Sequence, residues 1–161
     1  MPPEIAENRF LDCCGSLSWA HLMTDARPFA DVAALLEQAE QIWQNVEPQG
    51  WLEAFAAHPK IGARKAAPLQ QAQFAQWSNA EQSGTNVAAD SVLSDLAKAN
   101  RLYEEKFRYI FIVCATGKSA AEMLEICRRR LGNAADVELR IAADEQRKIT
   151  EIKLKKLLEI E

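Results

Sequence analysis

Apolar residues recur every three or four positions through most of the chain, which is the spacing of one face of an α-helix. The clearest stretch follows Asp31, which is placed to cap a helix, and its apolar positions continue to Val46. A second long stretch begins at about Val87 and ends near Phe107. The pattern predicts an all-α protein, folded as a single compact domain of about seven or eight helices over residues 1–161.

Small and capping residues divide the remaining helices. Gly15 is placed to stop a first helix that starts near Ile5, and Ser16 is placed to cap a second one. Pro48 and Gly50 interrupt the pattern, so we expect the next helix to begin after them and to lead into His58. A further, weakly patterned helix is predicted over residues 69–76, with a proline at its start.

The C-terminal part of the chain predicts two helices. Ser119 has a glutamate three residues later, which is the capping-box pattern, and three arginines in the last turn of that helix, Arg128 to Arg130, suit its dipole. The final helix runs from Asn133 nearly to the end. Its expected buried side consists of four apolar residues: Val137, Ile141, Ile149 and Ile152. Its other side is densely charged and is most simply a solvated surface.

One run, Tyr109 to Cys114, is β-like rather than helical. A lone buried strand would leave main-chain groups unpaired, so we expect a connector or a helix end whose main chain is free to bind a ligand. The Gly117-Lys118-Ser119 sequence that follows imitates a P-loop. The glycine that this motif needs five residues earlier is replaced by Ile112, which disfavours nucleotide binding.

Composition and charge exclude several classes of function. The net charge of -4 offers no basic excess for nucleic acid, and no apolar run reaches membrane-spanning length. The first residues lack the features of a signal peptide, and the four cysteines include no C-x-x-C pair, so we expect reduced thiols in the cytoplasm. A zinc site from Cys13, Cys14 and His21 lacks the usual ligand spacing, and we expect no metal.

The candidate chemistry lies in two separate stretches. Pro59 disfavours helical geometry at His58, so the imidazole should lie at the end of the preceding helix, where the helix dipole favours its charged form. Taken alone, His58 is more simply a boundary residue with an ordinary hydrogen bond. Further on, Ser78, Glu81 and Gln82 supply a carboxylate and two neutral hydrogen-bonding groups, which suit a polar, amide-rich ligand.

Several blocks occur together in one order that resembles the OHCU decarboxylase family. The blocks are Cys13-Cys14-Gly15-Ser16, Trp19-Ala20 with Met23, Arg27-Pro28-Phe29, Trp51 to Gly62, Trp77-Ser78 with Glu81-Gln82, Phe107, and Phe111 to Ala115. These enzymes act on 2-oxo-4-hydroxy-4-carboxy-5-ureidoimidazoline (OHCU), a product of urate oxidation, and release CO2 to give (S)-allantoin. The resemblance implies an all-α fold, usually a homodimer, without a metal or organic cofactor.

The resemblance also implies a set of site residues. His58 and Glu81 would be catalytic. The substrate would be bound by Pro59, Ser78, Gln82, Phe111, Ile112, Val113, Cys114 and Ala115, the last five largely through their main chain, and by Lys153. Two positions depart from the family pattern: Ala63 replaces an acidic residue, and Lys153 replaces an arginine. The competing interpretations are a non-catalytic helical interaction module that uses the charged last helix, and a nucleotide-handling enzyme.

Overall fold

The computed structural model describes residues 1–58 and 86–160. Within these ranges helices are the regular secondary structure and there are no strands, which confirms the all-α prediction. The seven helices that these ranges contain are α1 (Pro3–Cys13), α2 (Leu17–Asp25), α3 (Val32–Asn45), α4 (Pro48–Ala56), α5 (Asn86–Phe107), α6 (Ala120–Arg130) and α7 (Ala135–Ile160). The predicted helix over 69–76 lies outside the described residues. None of the seven is both long enough and apolar enough to span a bilayer.

Three side chains cap helices as the sequence predicts. The Asp31 carboxylate accepts a hydrogen bond from the N–H of Ala34 at 2.7 Å. The Ser119 hydroxyl oxygen accepts a hydrogen bond from the N–H of Glu122 at 3.1 Å. At the start of α2, the Ser16 hydroxyl oxygen accepts one from the N–H of Trp19. Each bond satisfies one of the main-chain donors that the first turn of a helix leaves unpaired, so these helices begin where the caps stand.

The predicted start of α4 was wrong. The helix begins at Pro48 and includes Gly50, because proline suits the first helical position and has no N–H to lose there. Gly50 is buried against the preceding chain: a Cβ on it would lie 2.3 Å from Cγ1 of Val46 and 3.2 Å from the Ser16 hydroxyl. Glycine is therefore at this position for close packing and does not interrupt the helix.

The described contacts divide the chain into two compact units. The first comprises Met1–Ala57 and Ala143–Glu161, and the second comprises His58–Ala142. In the first unit, Trp19 is fully buried and its ring meets Phe10 edge-on at 5.9 Å. Its indole N–H donates to the Ala39 carbonyl at 3.1 Å, so the largest core side chain also has its polar atom satisfied. The prediction of one domain over the whole chain stays a prediction.

In the second unit, α5 packs on α6. The core between them is built from apolar residues of both helices and of the connector that joins them: Leu96, Ala99, Tyr103, Phe107, Phe111, Val113, Met123, Leu124 and Cys127. The connector from Tyr109 to Cys114 is neither helix nor strand, in agreement with the sequence-based expectation. Four of its residues, Phe111 to Cys114, are nevertheless buried.

The buried side of α7 differs from the predicted one. Val137 is 47% exposed, and Ile141, Ile149 and Ile152 are only half-buried. Ala143 and Glu145 are buried, and a further row of buried residues, mostly polar or small, recurs four apart: Glu138, Ala142, Gln146, Thr150 and Leu154. Burial of the polar members is possible because they are hydrogen-bonded; the Gln146 amide, for example, donates to the Thr150 hydroxyl at 3.0 Å.

Candidate active site

His58 lies just beyond α4, as predicted. The helix ends at Ala56, and Ala57 still has helical dihedral angles, with its N–H directed at the carbonyls of Glu53 and Ala54 at 3.2 Å each. His58 itself is outside the helix and half-buried. The imidazole therefore follows the negative end of a helix dipole.

The Gly15 backbone is packed directly against the residue before His58. A Cβ on Gly15 would lie 2.3 Å from the Cβ of Ala57, far inside a normal contact. Nearby, the N–H of Leu17 donates to the Glu53 carboxylate of α4. The last turn of α4 therefore packs against the Cys13-Cys14-Gly15-Ser16 block at a distance that the missing side chain of Gly15 permits.

Lys153 lies on α7 in the same unit as Cys13 and Cys14. Burial raises the pKa of both thiols to about 11, and the positive charge of Lys153 opposes that rise without cancelling it. Both thiols are thus protonated near neutral pH, which makes them poor nucleophiles and poor metal ligands. All four cysteines of the chain are buried thiols. His21, the third residue of the zinc site considered above, is instead exposed and pairs with Glu7 at 3.2 Å.

The connector that contains Phe111 to Cys114 is held by two cationic side chains. The Arg130 guanidinium donates to the Ile112 carbonyl at 2.7 Å, and the Lys118 ammonium donates to the Cys114 carbonyl at 2.9 Å. The guanidinium carbon of Arg130 also lies 4.7 Å from the centre of the Phe111 ring, within the range of a cation–π contact. Two main-chain carbonyls of the predicted substrate segment are thus held by side chains, one by Arg130 and one by Lys118.

Arg130 is part of a buried charged pair. Its Nε donates to both carboxylate oxygens of Glu138, at 2.8 and 3.0 Å, and the side chains are 7% and 0% exposed. Burial is the largest single influence and lowers the pKa of Arg130, but the hydrogen bonds and charges of Glu138 and Tyr103 together outweigh it, and the pKa rises. The Tyr103 hydroxyl donates to the same carboxylate at 2.9 Å, and burial raises the pKa of Tyr103, so this donor keeps its proton.

The sequence did not predict this role for Arg130. Three successive arginines at the end of α6 were interpreted as partners of the helix dipole, and Arg128 does lie largely exposed, 3.8 Å from Asp95. Arg130 follows Met123 and Cys127 by seven and three residues, which places it on the buried face of α6. That spacing was the one feature of the sequence that indicated burial of Arg130.

The structure describes only part of the predicted site. The main chain of the connector is gathered with Arg130 and Lys118, and Lys153 acts on Cys13 and Cys14. Pro59, Ser78, Glu81 and Gln82 lie outside the described residues, so their proximity to His58 stays a prediction. Over the ranges 1–58 and 86–160, no group of three or more His, Cys, Asp or Glu side chains is arranged to hold a metal ion.

Comparison with known proteins relates the whole chain to one family. The family model described as OHCU decarboxylase matches residues 1–155. A crystal structure of OHCU decarboxylase in the presence of (S)-allantoin is similar to the chain, with a TM-score of 0.78 and 39% identity over 99% of both chains. A crystal structure of (S)-allantoin synthase has the same fold, with a TM-score of 0.69 at 14% identity over 97% of this chain and 50% of that one.

Two curated relatives agree with these matches. The uric acid degradation bifunctional protein TTL of Arabidopsis thaliana is 43% identical over 98% of the chain, which spans 48% of that protein. The chain thus covers about half of its bifunctional relative. The 2-oxo-4-hydroxy-4-carboxy-5-ureidoimidazoline decarboxylase of Haloferax volcanii is 24% identical over 92% of the chain and 88% of its own length.

The fold and these matches define an all-α protein that is similar over nearly its whole length to decarboxylases. The chain belongs to the OHCU decarboxylase family.

Proposed function

We propose that the chain decarboxylates OHCU to (S)-allantoin and CO2, as a step of urate degradation, without a cofactor. The observation that carries this proposal is the likeness, over 99% of both chains, to an OHCU decarboxylase whose crystal structure was determined in the presence of (S)-allantoin. The Arabidopsis relative, a bifunctional protein of uric acid degradation, supports the same pathway.

The chemistry of the substrate explains why side chains can suffice. The carboxylate is attached to a ring carbon whose neighbour, C5, is doubly bonded to nitrogen. When the bond to the carboxylate breaks, its electron pair forms a bond to C5 and the C=N pair moves onto nitrogen, so the substrate is its own electron sink. A proton leaves the 4-hydroxyl as it becomes a carbonyl, one arrives at the ring nitrogen, and one arrives at C5 on a single face.

We assign this management of protons to His58 and Glu81. Glu81 orients or deprotonates the 4-hydroxyl, and His58 delivers the proton that sets the configuration at C5. The position of His58 after the negative end of α4 supports the second role, because that end stabilises a protonated imidazole. A positioned acid or base of this kind typically contributes about 10²–10⁴-fold in rate.

The remaining predicted residues would bind the substrate. Pro59, Ser78, Gln82 and the main chain of Phe111 to Ala115 form the proposed contacts, and Lys153 would bind a carboxylate through a point charge where an arginine would use two parallel hydrogen bonds. We expect Lys153→Ala to raise KM at least tenfold, on the order of one charged hydrogen bond lost. Lys156→Ala, on the same helix but exposed, is the matched control and should leave KM unchanged.

The acid–base assignment is tested by single substitutions and an assay on freshly oxidised urate. His58→Ala and Glu81→Ala should each lower turnover by about 10²-fold or more while the helical CD spectrum is unchanged. His21→Ala is the control, because His21 is the other histidine of the chain and is exposed. Near-normal turnover in His58→Ala or Glu81→Ala removes that residue from the mechanism.

We further propose that the protein is a homodimer located in the cytoplasm. The presence of all four cysteines as thiols rather than disulfides suits a reducing compartment. Size-exclusion chromatography with light scattering should give twice the chain mass of 18.0 kDa; a mass of one chain at micromolar concentration contradicts the dimer. Cell fractionation tests the location, and recovery with exported proteins contradicts it.

A further inference from the structure

We propose that Arg130 is a positioning residue for substrate binding, which acts by holding the Ile112 carbonyl and so the course of the connector from Phe111 to Cys114. The inference rests on the proposed function, because that function places the main chain of this connector in the substrate site. Arg130 itself touches the connector and is not assigned a contact with substrate.

All three nitrogens of the Arg130 guanidinium are engaged. Nε is shared between the two oxygens of Glu138, Nη1 donates to the Ile112 carbonyl at 2.7 Å, and Nη2 donates to the Tyr103 hydroxyl at 3.3 Å. Guanidinium is planar, so fixing Nε on the carboxylate also fixes the direction in which Nη1 points. The location of the Ile112 carbonyl is thereby tied to Glu138 at the start of α7.

The remaining contacts hold the same stretch from other sides. The Arg130 guanidinium lies over the Phe111 ring, and the Tyr103 ring meets Phe111 at 5.2 Å with an interplanar angle of 67°. The Asn133 amide donates a longer bond, 3.4 Å, to Glu138. The connector forms neither a helix nor a strand, and side chains of the neighbouring helices hold it instead. Tyr103 of α5 packs on Phe111, and Arg130 of α6, itself bonded to Glu138 of α7, holds Ile112.

Stability alone does not account for a charged pair here. A buried ion pair is often no more stabilising than well-packed apolar side chains of the same volume, because both charges must be taken out of water. Apolar side chains would fill the space beside Phe111, but none could bond a carboxylate and a main-chain carbonyl at the same time. What the pair supplies is a defined geometry at Ile112, on the segment that the proposed function uses.

Three variants separate positioning from general stability. Arg130→Lys keeps the charge but lacks the planar fork, so it cannot hold Glu138 and Ile112 together. Tyr103→Phe removes the hydroxyl that donates to Glu138 and accepts from Nη2 of Arg130, yet it keeps the ring on Phe111 and leaves the Arg130 bonds to Glu138 and Ile112. Leu96→Ala empties a core site of the same unit that is 2% exposed. All three should lower the melting temperature.

Steady-state kinetics, measured well below the melting temperatures, then distinguish a positioning role from a purely stabilising one. We expect Arg130→Lys to raise KM about tenfold or more with kcat within about threefold, because contacts made equally in the ground state and the transition state are weakened. Tyr103→Phe and Leu96→Ala should keep the wild-type KM. Calorimetric titration with (S)-allantoin should show the same split, with affinity lost only in Arg130→Lys.

The outcomes distinguish this inference from the proposed function. A wild-type KM in Arg130→Lys overturns the inference, as does a rise in KM that follows loss of melting temperature equally in all three variants. A wild-type protein that does not act on OHCU refutes the proposed function instead. Where Arg130→Lys does not fold, Glu138→Asp decides by the same criteria, since its shorter carboxylate draws the guanidinium away from Ile112.

Discussion

Replacing Gly15 with alanine should displace the end of the helix that precedes His58. The added Cβ would lie 2.3 Å from the Cβ of Ala57, whereas two carbon atoms in contact are about 3.5 Å apart, so the two must separate by about 1.2 Å. Neither Cβ can rotate away, because each is fixed to its backbone. The strain must therefore move main chain.

The size of the effect follows from where that main chain can go. Overpacking typically costs about 1–3 kcal/mol, and Ala57 is exposed on its far side, so the end of α4 can yield toward solvent and the cost should be near 1 kcal/mol. For a chain of this length that is a fall in melting temperature of about 2–4 °C. A shift of about 1 Å in His58 is more costly for catalysis, up to about 10²-fold in turnover.

A second substitution makes the test specific. Ala57→Gly removes the methyl group that Gly15→Ala would strike, so the double variant should recover most of the lost turnover. Gly132→Ala is the control, because its added Cβ would meet only the Arg129 carbonyl, at an ordinary 3.5 Å, and should leave turnover and melting temperature nearly unchanged. Wild-type turnover in Gly15→Ala, or a double variant no more active than the single one, would refute the reasoning.

Other predictions concern stability. Arg108 directly follows α5 with φ of 70°, so Arg108→Gly should relieve about 1–2 kcal/mol of strain. The entropy of glycine offsets about 0.5–1 kcal/mol of this, so urea denaturation should show a net gain of up to about 1.5 kcal/mol, and a loss contradicts this. Burial raises the pKa of Cys13, Cys14 and Cys127 from 9.0 to about 11, so folded thiols keep protons that unfolded ones lose. The free energy of unfolding should therefore fall between about pH 9 and 11, and a flat profile there contradicts the account. Folding as a single domain predicts one calorimetric transition; two separate ones oppose it.

Helices with local signals were predictable from sequence. Asp31 and Ser119 cap their helices through hydrogen bonds that span three residues, so the information lies within one turn of chain. The buried face of α7 was not predictable in the same way. Glu138 is buried because Arg130 and Tyr103 pair with it, and these partners lie 8 and 35 residues away. A pattern of apolar positions does not register polar residues that tertiary partners make inexpensive to bury.

In the candidate site, too, features set by neighbouring residues were predictable and features set by tertiary contacts were not. His58 could be placed at the end of α4 from the proline that follows it. The importance of Gly15 could not, because it depends on how closely α4 approaches the segment between α1 and α2. Arg130 had a weak signal in its spacing from Cys127, which the neighbouring Arg128 and Arg129 obscured by making all three look like dipole partners. The pairing of His58 with Glu81 came from the family resemblance.

The central claim is that His58 and Glu81 act on the two sides of one bound molecule. It is tested most directly by a crystal structure of this chain with (S)-allantoin. The account predicts the His58 imidazole and the Glu81 carboxylate each within about 3.2 Å of that ligand, or one water away, with connector main chain alongside it. A ligand bound elsewhere, with these two side chains turned toward separate regions, would contradict the claim.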